Sequence, residues 1–157
     1  ASLTRTDSTF APLALRLPVA IIFMAHGAQK LFSWFGGHGL EGTGQWMASI
    51  GLEPGYLMAL GAGSAEFLGG LALLIGLLTR PAAVALAFTM LVAIVTVHLD
   101  NGLFMSNNGY EFGRTLIPAT LALTIQGGGS FALDNKLKSL LDKREPKQAH
   151  GVALKAA

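Results

Sequence analysis

Lys30, Glu66, Glu111 and Arg114 could do chemistry in a chain that otherwise offers little of it, because each lies within or at the edge of a long apolar run. A charge in hydrocarbon is expensive, so each needs a partner or a task. Counting along helices at about 1.5 Å per residue compares their heights. Lys30 follows Arg16 by fourteen residues and Glu66 precedes Arg80 by fourteen, which sets both roughly 21 Å from one boundary. Arg114, thirteen residues before Gly127, comes out at roughly 20 Å, with Glu111 one turn farther out. Two cations and two anions from three helices thus share a level. A paired, hydrogen-bonded set can roughly break even where a lone charge would cost several kcal/mol.

His26 stands four residues before Lys30, the spacing that stacks side chains on one helix face. His98, beside Asp100 and Asn101, is expected near the outer mouth, and Trp34, Phe35, Phe104, Tyr110 and Phe112 supply aromatic surface at that height. For any one of these residues the competing explanation is an ion pair that fixes helix register, or a histidine satisfied by a backbone carbonyl. Their convergence on one level favours a binding site. Donors at that level beside an apolar wall could hold a small polar molecule and pass it protons. His26, Lys30 and Glu66 are the expected catalytic residues. His98, Glu111, Arg114, Trp34 and Tyr110 are the expected substrate contacts, with Arg114 orienting Glu66 or Glu111. No metal-binding residues are expected.

The elements that position these groups follow from composition. Among 157 residues, 52% are hydrophobic and 13% charged, with a mean hydropathy of +0.52, too apolar for an ordinary soluble domain and incompatible with disorder. The absence of cysteine excludes disulfides, thiolate metal sites, cysteine-held iron–sulfur clusters and thiol nucleophiles. A net charge of +2 gives no footprint for nucleic acid. The expected class is an all-α integral membrane protein.

About 20 helical residues cross the hydrocarbon, and four runs qualify, at about 12–35, 55–78, 81–99 and 111–126. The first is too long and too aromatic at its end for a signal peptide, and is expected to be retained. Arg5, Arg16, Arg80, Lys136, Lys138, Lys143, Arg144, Lys147 and Lys155, nine of the 11 cations, fall on the side of the termini and the Thr79–Pro81 turn. The loops at 33–54 and 100–110 carry Glu41, Glu53 and Asp100 instead. The positive-inside rule then predicts a four-transmembrane-helix bundle with both termini cytoplasmic.

Three organisational units are expected: a cytoplasmic segment over 1–11, the transmembrane domain over 12–129, and a cytoplasmic region over 130–157. In the first outer loop, Thr43 is expected to cap a short interfacial helix ending at Gly51, with Trp46, Met47 and Ile50 on its apolar stripe. After Gly127-Gly128-Gly129, Leu133, Leu137, Leu140 and Leu141 recur at helical spacing among lysines. This predicts a basic amphipathic helix on the membrane surface, followed beyond Pro146 by a disordered tail. Gly61, Gly63, Gly69, Gly70 and Gly76 are expected to allow close helix approach, with Gly69, Gly70 and Gly76 also compatible with a homodimer seam.

The sequence resembles the DoxX family of small four-span bacterial membrane proteins. The resemblance is carried by Arg16 with His26-Gly27-Ala28-Gln29-Lys30-Leu31-Phe32, then by Glu66-Phe67-Leu68-Gly69-Gly70 and Gly76-Leu77-Leu78-Thr79-Arg80. It continues through His98, Asn101-Gly102, Gly109-Tyr110-Glu111-Phe112 and the stretch from Gly127 to Asp134. Three glycines stand where relatives have Gly-Pro-Gly. The resemblance covers about 13–134 and implies a four-helix transmembrane bundle in the bacterial cytoplasmic (inner) membrane, engaged in membrane-associated redox work, such as thiosulfate oxidation with quinone as acceptor or quinone detoxification.

The leading expectation is therefore a quinone-binding subunit of a membrane oxidoreductase. No flavin or nicotinamide fingerprint is present, so electrons would come from a partner protein or from substrate at the outer face. The alternative is a non-catalytic carrier, chaperone or assembly subunit, with Lys30 and Arg114 holding a small anion. A haem held by His26 and His98 is disfavoured, because their depths of roughly 15 and 27 Å differ too much for opposed axial ligands. Expected partners are membrane lipids, a redox protein or complex subunit, and a second copy of the chain; nucleic acid is not among them.

Overall fold

A computed structural model of the protein describes residues 10–144, so most of the expected N-terminal segment and the expected disordered tail lie outside the described residues. The described residues are helical, without strands. Their helices are α1 (Phe10–Phe32), α2 (Gly39–Ser49), α3 (Gly55–Ile75), α4 (Thr79–Ala93), α5 (Glu111–Gln126) and α6 (Leu133–Arg144). A π turn over Ile94–His98 and a 3-10 turn over Leu99–Asn101 extend α4 without a break.

Three stretches are long and apolar enough to cross a membrane: Phe10–Phe32, Gly55–Ile75 and the continuous Thr79–Asn101. The helix expected over 111–126 forms with those bounds, but its 16 residues reach only about 24 Å against about 30 Å of hydrocarbon. It nevertheless shares the core. Val19, Ala20 and Phe23 of α1, Leu73 of α3, Ala83 and Leu86 of α4, and Leu116 and Leu123 of α5 form one buried cluster. Outside it, Ile21, Leu68, Phe88, Val95, Leu121 and Ile125 are exposed, an apolar surface that water would penalise and lipid tails would not.

Small residues set the spacing of α1 and α3. A Cβ at Gly27 would lie 2.5 Å from the Phe67 backbone nitrogen and 2.8 Å from the Gly63 carbonyl, and one at Gly70 would lie 2.9 Å from the Ala20 carbonyl. Such contacts let dispersion act between backbones where the hydrophobic effect cannot. Gly69 packs on Leu86, and Gly76 adopts a left-handed φ of 70° against the Arg16 side chain. Gly61 differs: an added Cβ there meets nothing within 4 Å. The expected close approach is absent at that position, because α3 turns Gly61 toward open space.

At the end of the bundle opposite Lys30, Arg16 is only 2% exposed. Its Nη2 donates to the carbonyls of Ser130 at 3.4 Å and Phe131 at 3.2 Å. Asp134 accepts from the backbone N–H groups of Leu78 at 2.7 Å and Thr79 at 3.0 Å. A carboxylate on amide groups at a helix N-terminus satisfies orphan donors and complements the helix dipole. Here that cap comes from the first turn of α6, so Gly127–Asp134 is fastened to both α1 and α4.

Two expected boundaries shift. α1 ends at Phe32, and Trp34 and Phe35 fall in a short 3-10 turn, with Ser33 and Phe35 left-handed. α2 begins at Gly39, which places Thr43 inside the helix instead of at its cap. Its glycines are poor helix formers, but packing overrides them. Met47 is buried, and a Cβ at Gly44 would lie 2.9 Å from Tyr56 Cα. α6 forms as expected, with Lys136, Lys138, Lys143, Leu140 and Leu141 exposed.

Candidate functional site

Lys30 and Glu66 meet. Lys30 Nζ donates to Glu66 Oε2 at 2.6 Å, and the His26 carbonyl lies 3.5 Å from the same nitrogen. Glu66 falls on the buried stripe of α3, with Ala59, Gly63, Gly70 and Leu73, and is itself 5% exposed. A carboxylate so placed needs a cation, which Lys30 supplies from α1.

The pair lies at the inner wall of a cavity of about 670 Å³. His26 and His98 also line it. The His26 ring leans on Phe112, with centroids 6.0 Å apart, while His98 Nδ1 is 2.8 Å from the Asn108 carbonyl. The rest of the lining is mainly apolar, from Trp46 and Met47 of α2, Leu57, Met58, Gly61, Ala62 and Ala65 of α3, and Phe88, Thr89, Val92 and Ala93 of α4. Leu57, Met58, Phe88 and Val92 are exposed at its edge, so the cavity opens sideways between α3 and α4. Small side chains on α3 create the volume.

The π turn explains how α4 reaches the polar end. Thr96, Val97 and His98 all line the cavity, although three consecutive residues of an α-helix span too wide an arc to share one face. The wider turn over Ile94–His98 rephases the side chains and brings His98 inward. Such π segments recur at functional sites.

The other expected contacts are not drawn in. Arg114 is exposed, and its guanidinium has no partner among the described residues. The buried stripe of α5 runs through Gly113, Leu116, Thr120 and Leu123, which turns the next residue after Gly113 away. Its expected role of orienting Glu66 or Glu111 therefore fails. Glu111 instead accepts from the Met105 backbone N–H at 2.7 Å, closing the 102–110 loop. Tyr110 immediately precedes α5, with its N–H on the Gly102 carbonyl, and Trp34 packs on Phe32 at 5.1 Å. Neither lines the cavity. Counting along the helices gives height but not rotation, which is why the quartet resolves into one pair.

The family model that matches this chain is DoxX, over residues 11–99. The chain belongs to the DoxX family. CatD of Bacillus subtilis strain 168, provisionally named an oxidoreductase, is 38% identical over 122 residues, covering 78% of this chain and 83% of that protein. The inner membrane protein YqjF of Escherichia coli K12 is 33% identical over 80% of this chain and 90% of its own length. The inner membrane protein YphA of the same strain is 31% identical over 79% and 88%. No solved structure matches. Together with the span-capable helices, these relatives place this DoxX-family protein in the bacterial inner membrane as a multi-pass protein.

Within the family match lie both members of the ion pair, both cavity histidines and the α3 and α4 walls. Sequence reasoning missed Gly61, Ala62 and Ala65 as a cavity wall and Thr89, Val92 and Thr96 as its opposite side. The available signal was the cluster of small residues one turn before Glu66, on the side toward the bundle end at which Lys30 stands.

Proposed function

We propose that this DoxX-family protein is a four-span membrane subunit of an oxidoreductase system that binds a quinone between α3 and α4. The observation that carries this reading is the sideways cavity of about 670 Å³, polar at its Lys30–Glu66 wall and apolar at its mouth. That polarity gradient matches a molecule with a carbonyl-bearing ring and a hydrocarbon tail, and the volume lies within the range of small-molecule sites. The redox class is supported by the provisional name of CatD.

In this reading the ring rests at the Lys30 end and the tail leaves past Leu57 and Phe88 into lipid. Lys30 donates to one carbonyl oxygen, and His98 or His26 to the other. A quinone that takes up two electrons takes up two protons. Glu66, hydrogen-bonded to Lys30, takes up one of them from water and relays it through Lys30 to that carbonyl, and the histidine at the other carbonyl delivers the second. The electrons come from a partner protein. With both termini cytoplasmic, α5 is the fourth span and the cavity lies in the outer half of the bilayer.

The test is direct binding of a short-tailed benzoquinone analogue to purified protein. We expect saturable binding, weakened by about tenfold or more in Glu66→Gln and in Lys30→Ala. Unchanged binding in both variants rejects the assigned roles.

A further inference from the structure

Helix α6 packs along no other described helix. Its 12 residues are too few for a helix to be more than marginal in water, so its stability must come from whatever covers its apolar side. Leu133, Leu140 and Leu141 on that side are exposed. At about 100° per residue, Leu133, Leu137, Leu140 and Leu141 fall within an arc of about 100°. Lys136 borders this stripe on one side with Lys143 two turns along, and Lys138 borders it on the other. All three lysines are exposed, and none makes an ion pair among the described residues. Asn135, Ser139 and Asp142 lie on the opposite side.

The clasp at the start of α6 aims the stripe. Asp134, buried on the N–H groups of Leu78 and Thr79, stands about 20° around the helix from Leu141 and about 60° from Leu137. The leucines therefore share the side that Asp134 turns toward the bundle, and past the edge of the bundle that side meets the bilayer. An aromatic pair marks the same border. Phe131, two residues before α6, and Phe10, at the start of α1, have ring centroids 6.2 Å apart and are both exposed. Phe131 keeps a left-handed φ of 58°, with its carbonyl held by Arg16. Two large rings displayed in this way suit lipid and not water.

We propose that α6 is a docking surface for anionic phospholipid: its leucines enter the acyl boundary of the adjoining leaflet, acidic headgroups rest on Lys136, Lys138 and Lys143, and this contact keeps Asp134 seated on α4. The lysine stems cover apolar surface while their ammonium groups reach the headgroups. Because α4 forms one wall of the α3–α4 cavity, the charge of the membrane is transmitted to that wall. None of this rests on the quinone reading. In the orientation proposed above, the leaflet is the cytoplasmic one.

The test uses the full-length protein, one copy per nanodisc, with an environment-sensitive NBD dye on a single introduced cysteine, since the chain has none of its own. The dye is placed at Leu141→Cys on the stripe or at Ser139→Cys about 160° away, in discs of phosphatidylcholine alone or mixed with phosphatidylglycerol. We expect bluer, brighter emission at position 141 when phosphatidylglycerol is present, and little change at position 139. Lys136→Gln, Lys138→Gln and Lys143→Gln together are expected to abolish the shift, since each lysine near an acidic surface contributes about fivefold in affinity. Equal emission in the two lipids, a shift of the same size at both positions, or a shift that survives the three substitutions overturns the docking surface. Amide exchange at Leu78 and Thr79 is followed in the same discs. We expect it to be severalfold slower with phosphatidylglycerol in the native chain and independent of lipid in the triple variant. Exchange indifferent to phosphatidylglycerol in the native chain removes the coupling to α4, while the dye still decides where α6 lies.

Discussion

Lys30 on α1 and Glu66 on α3 stand 36 positions apart in sequence, yet their charged atoms are 2.6 Å apart. Gly27 and Gly63, one turn from Lys30 and Glu66 respectively, let the two helices come close enough for that contact. The ion pair and the glycine seam are therefore one arrangement, in which backbone proximity sets the reach of the side chains.

Removing one partner leaves the other charge buried. Lys30→Met alone is expected to lower stability by about 3–5 kcal/mol, and Lys30→Met with Glu66→Gln to recover most of that loss. Thermal unfolding in detergent of the two single variants and the double variant gives the coupling directly. Independent, additive losses would rule out the pair as the relevant contact.

Gly61→Leu is expected to fill the cavity without straining the bundle, because a Cβ there meets nothing within 4 Å. The midpoint of unfolding should stay within a few degrees of the native value, while affinity for the quinone analogue falls by about tenfold or more. Equal binding to both proteins would show that the ligand does not occupy the α3–α4 cavity.

Arg114→Gln separates the observed pair from a four-charge cluster. With its guanidinium exposed and without a partner among the described residues, its loss should change stability by less than about 0.5 kcal/mol. Quinone affinity should be unaffected. A large effect on either measurement would place Arg114 in the site after all.

Asp134→Ala deprives Leu78 and Thr79 of their amide acceptor. A loss of about 2 kcal/mol is expected, with Asp134→Asn milder because it keeps one acceptor oxygen. Ligand affinity should survive, since this cap lies at the far end of the bundle. Parallel unfolding and binding curves distinguish the two effects.

Orientation can be read with single cysteines, because the chain has none of its own. Asn107→Cys is expected to react with an impermeant maleimide in intact spheroplasts, and Lys143→Cys only after lysis. The reverse pattern would invert the topology and place the cavity in the inner half of the bilayer.

Height was legible from the linear chain, because a helix rises by a constant amount per residue. Lys30 and Glu66 therefore fall at one height on the sequence alone. Rotation was legible only where a buried stripe stood out. On α5 the alternation of Gly113, Arg114, Thr115 and Leu116 left the inward face ambiguous, and Arg114 went to the wrong side. Thr43 was read as a cap because the glycines before it have poor helix propensity, whereas contact with α3 decides that segment. The link from Asp134 to Thr79 spans 55 positions and leaves no local periodic trace. Gly61 is expected to allow close helix approach, and Ala62 and Ala65 carry no signal of their own, since a small side chain marks close approach and open space alike.

The reach of Asp134 back to α4 also bears on biosynthesis. α4 leaves the ribosome before the residue that satisfies its first amide groups has been translated, so its leading turn waits at the membrane surface with donors open to water. Only when the Gly127–Asp134 segment follows does the clasp shut. A nascent chain stopped short of Asp134 would hold every residue of the ion pair and of the α3–α4 cavity, yet lack the latch that secures the start of the helix forming one cavity wall.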